Sequence, residues 1–258
     1  MRRLSLFLDL DGTLIELAEH PEAVTVPAQL PQILGQLDAR LHGALAMASG
    51  RNIDVLDRLL SPYRGSAIGV HGTERRLNTG AVLQTLSTPL PAALRNAIAE
   101  IVARYPGAFI EDKGSAIAVH ERDGGDVLRA IALTDALQAQ CARFAPGWQC
   151  LSGRRVVEIK PAGIDKGKGT DWLMQQPPFA GALPVALGDD ITDLDMFAAV
   201  MDYGGLTLAV GERIAGDGHL HLRSPAAVLR FLSAWSASSA VQTLADVEAL
   251  ARQADSRP

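Results

Sequence analysis

Short apolar runs alternate with amphipathic stretches in the first part of the chain. Ser5–Leu10, Ala44–Ala48 and Ala67–Val70 are apolar runs of strand length. Between them, Pro27–Leu41 carries leucines at helical spacing, and Asn52–Leu60 begins with a residue that favours helix caps. Strands that alternate with helices predict an open, doubly wound parallel sheet.

The pattern changes after Gly72. Glu74–Leu86 is typical of a hairpin with its turn at Asn78-Thr79-Gly80. Two helices and four strands of alternating character follow, which predicts an inserted α+β domain with an antiparallel sheet. The predicted helices are Pro91–Arg104 and Gly125–Phe144, and the predicted strands are Ala108–Glu111, Ser115–Glu121, Trp148–Leu151 and Val156–Lys160.

The first pattern then resumes. It predicts a helix over Lys166–Gln175, a strand over Leu183–Leu187 and a helix over Thr192–Met201, followed by a further strand over Thr207–Val210. We therefore predict an α/β core formed by residues 1–83 and 161–258, interrupted by a cap domain over residues 84–160.

The end of the chain carries weaker patterns. Ser224-Pro225 predicts the start of a helix that continues to Trp235. The Ala- and Ser-rich stretch from Ser236 predicts a terminal helix with a frayed end.

Composition excludes several classes of protein. The 258 residues are 48% hydrophobic and 21% charged, which is ordinary for a globular protein and excludes a disordered chain. With 24 basic and 29 acidic residues the net charge is −5, which does not favour binding to nucleic acid. Apolar runs fall short of the ~18 residues that cross a bilayer. We expect a cytoplasmic protein with no nucleic-acid or membrane partner, and the sequence leaves a monomer open as the assembly. Cys141 and Cys150 are nine positions apart and could pair, but reduced thiols are expected.

Two acidic clusters follow predicted strands. Asp9 and Asp11 lie at i and i+2, so on an extended chain their carboxylates point to one place. Asp189, Asp190 and Asp193 lie after a later strand, at the edge of an open sheet where ligands bind. Such clusters repel unless a cation binds, and Mg²⁺ prefers oxygen ligands. One carboxylate could then attack phosphorus while another moves a proton. A simple turn and a helix cap are the alternatives.

Two further motifs have candidate chemistry. Ser49-Gly50-Arg51 follows the second strand, where a hydroxyl and backbone N–H groups could hold phosphate oxygens. Lys166 opens a helix and could stabilise the charge of a phosphoryl transition state. Taken alone, the first motif is more typical of an ordinary helix cap, and the second of a solvated lysine.

Together these four motifs resemble the haloacid dehalogenase-type phosphotransferases over nearly the whole chain. The resemblance implies that Asp9 is the nucleophile and that Asp11 is the acid and base. It also implies that Ser49 holds a phosphoryl oxygen, Lys166 neutralises charge and Thr13 supports the loop. The implied Mg²⁺ ligands are Asp9, the Asp11 backbone carbonyl and Asp189, with Asp190 and Asp193 around them.

Four further segments make this resemblance more specific. Gly69-Val70-His71-Gly72-Thr73-Glu74, Glu111-Asp112-Lys113, Ala118-Val119-His120-Glu121-Arg122 and Val156-Val157-Glu158-Ile159-Lys160-Pro161 resemble trehalose-6-phosphate phosphatases. The family usually has an aromatic or apolar residue where this chain has Glu121. The resemblance implies a sugar phosphate as the small-molecule substrate, and it implies that the substrate is contacted by Thr13, Gly50, Arg51, His71, Gly72, Glu111, Lys113, His120, Arg122 and Glu158.

Charged residues on the cap strands fit a sugar, because they can form charge-assisted hydrogen bonds with its hydroxyls. Glu111 and Lys113 lie at i and i+2 and are expected to point together, with Glu158 on another strand. Salt bridges on a solvated sheet are the alternative. For the whole protein, the leading hypothesis is Mg²⁺-dependent hydrolysis of trehalose 6-phosphate. The alternatives are a phosphatase for sucrose phosphate or mannosylphosphoglycerate, and a module that binds a sugar phosphate without turnover.

Overall fold

The computed structural model describes residues 2–18, 20, 22–78, 84–86, 90–121, 127–153, 156–216 and 219–256. The chain divides into two compact units. Unit 1 comprises Met1–Gln84 and Asp165–Pro258, and unit 2 comprises Thr85–Ile164. These boundaries fall one and four residues after those predicted from the sequence. That unit 2 serves as a cap over substrate stays a prediction.

The chain forms strands and helices in close alternation. The strands are β1 (Leu4–Leu8), β2 (Leu45–Ala48), β3 (Ser66–Gly69), β4 (Glu74–Arg76), β5 (Gln84–Thr85), β6 (Ala108–Asp112), β7 (Ile117–Glu121), β8 (Trp148–Gly153), β9 (Val156–Pro161), β10 (Leu183–Gly188), β11 (Leu206–Val210) and β12 (Leu220–Leu222). The helices are α1 (Leu30–Arg40), α2 (Ile53–Leu59), α3 (Ala92–Val102), α4 (Val127–Phe144), α5 (Lys166–Met174), α6 (Leu194–Asp202), α7 (Pro225–Ala237) and α8 (Leu244–Asp255).

Unit 1 is built around a sheet whose order is β12-β11-β10-β1-β2-β3-β4-β5. The strands from β12 to β3 are parallel, which confirms the predicted doubly wound sheet. Every residue of β1 is buried, as expected for a parallel strand covered on both faces. Strand β4 pairs antiparallel with β3, so the predicted hairpin extends this sheet. The turn at Thr79-Gly80 lies outside the described residues.

The end of the chain forms the two predicted helices. The α7 helix begins after the capping hydroxyl of Ser224, as predicted, and buries Trp235 completely. The predicted terminal helix is confirmed as α8, which begins later than Ser236, at a capping box in which Thr243 and Asp246 each bind the backbone of the other. Its frayed end stays a prediction, because residues 257–258 lie outside the described residues. Strand β12 was not predicted, because its three residues contain a histidine and form no apolar run.

Unit 2 has a four-stranded antiparallel sheet in the order β6-β7-β9-β8. Its own core lies on the face covered by α3 and α4, where Ile117, Val119 and Ile159 pack with Leu94 and Leu137. This arrangement matches the predicted α+β insert. Across the described part of the chain, every helix is too short or too polar to span a bilayer.

Candidate active site

Two acidic segments leave neighbouring strands of unit 1 side by side. Strands β1 and β10 are parallel, with Leu8 opposite Leu187, so the residues that follow them emerge at the same edge. The backbone N–H of Asp9 donates to the Leu187 carbonyl at 3.0 Å. Carboxylate oxygens of Asp9, Asp189 and Asp193 all lie within 4.8 Å of one another. The two predicted acidic clusters therefore form one site.

Lys166 lies inside this acidic site. Its Nζ donates to Asp9 Oδ1 at 2.7 Å and to Asp193 Oδ1 at 2.6 Å, and the lysine is 2% exposed. The lysine is the first residue of α5, next to Gly167. A Cβ on Gly167 would lie 2.4 Å from the Asp195 carbonyl oxygen, so glycine permits the close packing that brings Lys166 under the carboxylates. The alternative of a solvated lysine is therefore wrong.

The close charges change the acidity of these groups. Burial raises the pKa of Asp9 well above its ordinary value, which Lys166 opposes and Asp193 reinforces. Burial and the Asp193 charge raise the pKa of Asp189 to about 7. Burial alone would lower the pKa of Lys166, but Asp193 and Asp9 outweigh it and raise that pKa. The site has an excess of negative charge that one lysine does not balance, which favours a bound cation.

Asp193 supports the site through both of its carboxylate oxygens. Oδ1 accepts from Lys166, and Oδ2 accepts from the backbone N–H groups of Asp189 and Asp190, each at 3.0 Å. Asp193 is completely buried. Because both oxygens already have partners, Asp193 is suited to shape the acidic loop, while Asp9 and Asp189 are better placed to hold a metal ion.

Asp190 points elsewhere. Its Oδ1 accepts from the backbone N–H of Ile191 at 2.7 Å and pairs with Arg213 at 2.5 Å. Asp190 is thus the cap of the 3-10 turn Ile191–Asp193 and not a member of the carboxylate cluster. Sequence reasoning missed Arg213, although it follows the end of β11 at the same edge of the sheet, where the rule applied to Asp9 would have found it.

Thr13 and Gly12 hold the first acidic loop against the second. Thr13 is completely buried, and its Oγ1 donates to Asp189 Oδ1 at 3.2 Å. Gly12 has φ +85°, and a Cβ there would lie 2.2 Å from Asp189 Oδ2. The close approach explains why the motif needs glycine at this position. This hydrogen bond fits the predicted role of Thr13 in supporting the loop, and its contact with substrate stays a prediction.

Arg51 forms a two-pronged ion pair with Asp11. Its Nε and Nη2 donate to the two carboxylate oxygens of Asp11, each at 2.7 Å. The backbone N–H of Arg51 donates to Ser49 Oγ at 3.1 Å, so Ser49 keeps its own proton for another acceptor. At the start of α2, Ile53 N–H donates to Glu74 and Val55 N–H donates to Asn52.

His71 and the two glycines belong to the same edge. The His71 N–H donates to the Ser49 carbonyl at 3.1 Å, and a Cβ on Gly50 would lie 2.4 Å from His71 Nε2. Gly72 has φ +106°, and a Cβ there would lie 2.2 Å from the Asp165 carbonyl oxygen. The turn over residues 70–72 is thereby packed between Ser49 and the start of α5.

Unit 2 gathers its predicted residues into a polar cluster of Glu111, Lys113, His120 and Glu158. Glu111 and Glu158 lie opposite Ala118 on the two strands that flank β7, and so share one face of the sheet. Lys113 Nζ lies 2.9 Å from Glu158 Oε1 and 4.0 Å from Glu111 Oε2, and His120 Nε2 lies 2.8 Å from Glu111 Oε2.

Two details of unit 2 differ from the sequence prediction. Lys113 follows the last residue of β6 and lies in the turn, where its N–H donates to the Ala116 carbonyl at 2.9 Å, yet its side chain still joins Glu111. Glu121 is buried and pairs with Arg129 of α4 at 3.3 Å. It alternates with His120, so it faces the helices and not the polar cluster. Arg122 lies outside the described residues.

The class of protein follows from this arrangement. A parallel sheet with Asp9 and Asp11 after β1, Ser49 after β2, Lys166 at a later helix and Asp189 after β10 defines a phosphatase of the haloacid dehalogenase type. A solved relative shares the fold. The Candida albicans trehalose-6-phosphate phosphatase C-terminal domain matches with a TM-score of 0.76 at 21% identity, over 91% of this chain and 92% of that chain.

The chain belongs to the trehalose-phosphatase family, whose model matches residues 7–213. A probable trehalose-phosphate phosphatase of Sinorhizobium fredii is 40% identical over 226 residues, which is 88% of this chain and 84% of the relative. A trehalose-6-phosphate phosphatase of Escherichia coli is 42% identical over 212 residues, which is 80% of this chain and 76% of the relative.

Proposed function

We propose that this protein hydrolyses trehalose 6-phosphate to trehalose and inorganic phosphate, with Mg²⁺ and through an aspartyl-phosphate on Asp9. One observation carries the chemistry: Asp9 is buried beside Asp189 and bound to Lys166 in a chain of the trehalose-phosphatase family. The named bacterial relatives support the substrate.

The donor atoms of the site fit a divalent cation. Asp9 and Asp189 present carboxylate oxygens close together, and the raised pKa values of both groups reflect burial and repulsion from neighbouring carboxylates, which a cation would relieve. Oxygen ligands alone favour Mg²⁺ over softer metals. We expect Asp9, Asp189 and the Asp11 backbone carbonyl to hold it. When bound, Mg²⁺ would neutralise charge on the transferring phosphoryl group.

The chain's own residues divide the reaction into two steps. A carboxylate oxygen of Asp9 attacks phosphorus, the bond from phosphorus to the sugar oxygen breaks, and Asp11 gives that oxygen a proton. Asp11 then takes a proton from a water molecule, which attacks the phosphorus of the aspartyl-phosphate, releases phosphate and restores Asp9.

Arg51 sets a condition on the proton transfer. The two charge-assisted hydrogen bonds from Arg51 would be weakened by a proton on Asp11, because they depend on the charge of the carboxylate. We therefore expect the Arg51–Asp11 pair to open before Asp11 acts as an acid. Arg51 can then bind a phosphate oxygen, for which its fork is suited.

Ser49 and Lys166 complete the phosphoryl site. Ser49 accepts from the Arg51 N–H, so its own hydroxyl can donate to a phosphoryl oxygen. Lys166 holds Asp9 in place and offsets the charge that builds up on the transferring group.

We propose that the polar cluster of unit 2 binds the sugar. Its carboxylates and ammonium group can exchange their mutual contacts for sugar hydroxyls, with little apolar surface needed. A cytoplasmic location belongs to the same proposal, because a doubly charged sugar phosphate does not cross a bilayer and is available where it is made.

Phosphate release from a panel of esters tests this function. The panel contains trehalose 6-phosphate, sucrose 6′-phosphate, glucose 6-phosphate, mannosylphosphoglycerate and p-nitrophenyl phosphate, each with Mg²⁺. We expect the highest kcat/KM for trehalose 6-phosphate. A higher value for another sugar phosphate would overturn the substrate, and binding of trehalose 6-phosphate with no phosphate released would identify a non-catalytic module.

A further inference from the structure

The two cysteines of the chain lie against each other inside unit 2. Cys141 is on α4 and is 3% exposed, and Cys150 is on β8 and partly exposed. The neighbouring thiol lowers the pKa of Cys141 and raises the pKa of Cys150. Both residues belong to the same apolar cluster, so the contact is held by the packing of the helix on the strand.

The sequence spacing explains why these two residues meet. Cys141 follows Leu133 and Leu137 at intervals of four, which places it on the buried face of α4. Cys150 is two residues after Trp148 and therefore faces the same side of β8, toward the helix.

A tight turn sets both cysteines at one height. Ala145 N–H donates to the Cys141 carbonyl at 2.9 Å, and Trp148 N–H donates to the Ala145 carbonyl at 3.0 Å. Cys141 lies one helical turn before Ala145, roughly 6 Å along the axis. Cys150 lies two strand residues after Trp148, roughly 6.6 Å along the strand. The chain thus returns to the same level on the opposite side of the turn.

We propose that Cys141 and Cys150 are a redox-active dithiol that a hydroperoxide converts to a disulfide within unit 2. The hydroperoxide oxidises the sulfur of one cysteine to a sulfenic acid, and its O–O bond breaks to release water or an alcohol. The thiol of the other cysteine then attacks that sulfur, so the S–S bond forms, the S–O bond breaks and a water molecule leaves. Two thiols are oxidised and the peroxide is reduced.

The proposal is independent of the phosphatase chemistry. Partial exposure of Cys150 gives a small oxidant access, and the buried Cys141 is the partner that resolves the sulfenic acid. With only two cysteines in the chain, no other intramolecular disulfide competes.

Intact-mass analysis after treatment with hydrogen peroxide tests the step. We expect the folded full-length protein to lose the mass of two hydrogens and both titratable thiols, at a rate independent of protein concentration. Peptide mapping should show one linked pair, Cys141 with Cys150, that dithiothreitol reverses. The matched variant Cys141→Ala should instead give mixed or intermolecular products. Separate oxidation of each cysteine to sulfinic acid in the wild type, or two thiols that stay free, would overturn the proposal.

A redox titration with glutathione distinguishes thiols that the fold positions from thiols that are only close in sequence. The wild type is titrated in native buffer and again in urea, where only the spacing of nine positions (150 − 141) holds the cysteines together. Positioned thiols have a high effective concentration, so we expect an equilibrium constant for disulfide formation at least ten-fold larger in the folded protein. An equal or smaller constant in the folded protein would contradict the proposal, and this comparison needs no variant.

Discussion

Arg51 binds both carboxylate oxygens of Asp11 at 2.7 Å, although 40 positions separate the two residues. Strand β2 and the turn that follows it bring Arg51 beside the loop after β1. Asp11, the proposed acid and base of the reaction, is therefore bound by Arg51, the residue that follows Ser49-Gly50. This pair gives Arg51 a role beyond contact with substrate.

Replacing Arg51 should slow turnover more than it weakens substrate binding. In Arg51→Gln the guanidinium that would move from Asp11 to a phosphate oxygen is lost, and a hydrogen bond to a charged group contributes about 1.5–3 kcal/mol, so we expect kcat to fall roughly ten- to a hundred-fold. Arg51→Lys should recover part of the loss. Arg64→Gln is the matched control, because Arg64 pairs with Asp57 away from the site at 2.9 Å. Equal losses in both variants would refute the role of Arg51.

Thr13 is buried and contacts Asp189, so its substitution should change the metal dependence of the activity. EDTA should abolish activity and Mg²⁺ should restore it. In Thr13→Val the Asp189 carboxylate loses its 3.2 Å hydrogen bond, so the Mg²⁺ concentration for half-maximal rate should rise roughly ten- to a hundred-fold, as for a hydrogen bond of about 1.5–3 kcal/mol to a charged group. Thr13→Ser keeps the hydroxyl and should behave as wild type. Full activity in EDTA would show that the site needs no metal.

Substitutions in the polar cluster of unit 2 should change the hydrolysis of the sugar substrate alone. Glu158→Gln removes the carboxylate that binds Lys113 at 2.9 Å. If that carboxylate also binds sugar hydroxyls, kcat/KM for trehalose 6-phosphate should fall roughly ten- to a hundred-fold, while p-nitrophenyl phosphate changes within a few-fold.

Asp112→Asn is the control for this experiment, because Asp112 lies on the same sheet and pairs with the exposed Arg95. A surface ion pair contributes about 0–1 kcal/mol, so this variant should stay close to wild type on both substrates. If Glu158→Gln and Asp112→Asn behave alike, the cluster is a set of surface salt bridges and does not bind sugar.

Glu74 predicts a pH-dependent effect on stability. Burial raises the pKa of Glu74 above its ordinary value, against the hydrogen bond from Ile53. A carboxyl group that holds its proton more tightly when folded contributes stability at low pH and loses it as pH rises through the folded pKa. Glu74→Gln keeps an acceptor for Ile53 N–H without the buried charge. Its Tm relative to wild type should therefore rise between about pH 4 and about pH 8.

Melting curves of Glu74→Gln and of the wild type across this pH range show whether the Tm difference rises with pH. Asp54, a nearby acid on the first turn of α2, also raises the pKa of Glu74, so this rise should be smaller in an Asp54→Asn background. A Tm difference between Glu74→Gln and wild type that falls with rising pH would show that ionised Glu74 stabilises the fold.

The sequence was sufficient for the parts of the molecule that depend on local pattern. Apolar runs such as Leu183–Leu187 and caps such as Asn52 and Ser224 marked strands and helices that the structure confirms. The convergence of Asp9 and Asp189 also follows from pattern, because parallel strands carry their carboxyl ends to one edge.

Contacts made by long side chains could not be predicted in this way. The sequence spacing does not predict the ion pairs Asp11–Arg51 and Asp190–Arg213. These pairs depend on how separate loops fold over the edge of the sheet. The start of the terminal helix was also beyond the pattern, because α8, whose stability comes from burial of Val247, Ala251 and Ala254 and from its capping box, begins at Leu244 and not near Ser236.

A phosphoryl group on Asp9 during turnover is the most direct test of the central claim. The enzyme is mixed with trehalose 6-phosphate and Mg²⁺, quenched with acid before the first turnover ends, and mapped by mass spectrometry. We expect phosphate on the peptide that contains Asp9, and neither phosphopeptide nor trehalose release in Asp9→Asn. Release of trehalose at the wild-type rate by Asp9→Asn, with no phosphate found on Asp9 of the wild type, would contradict the account.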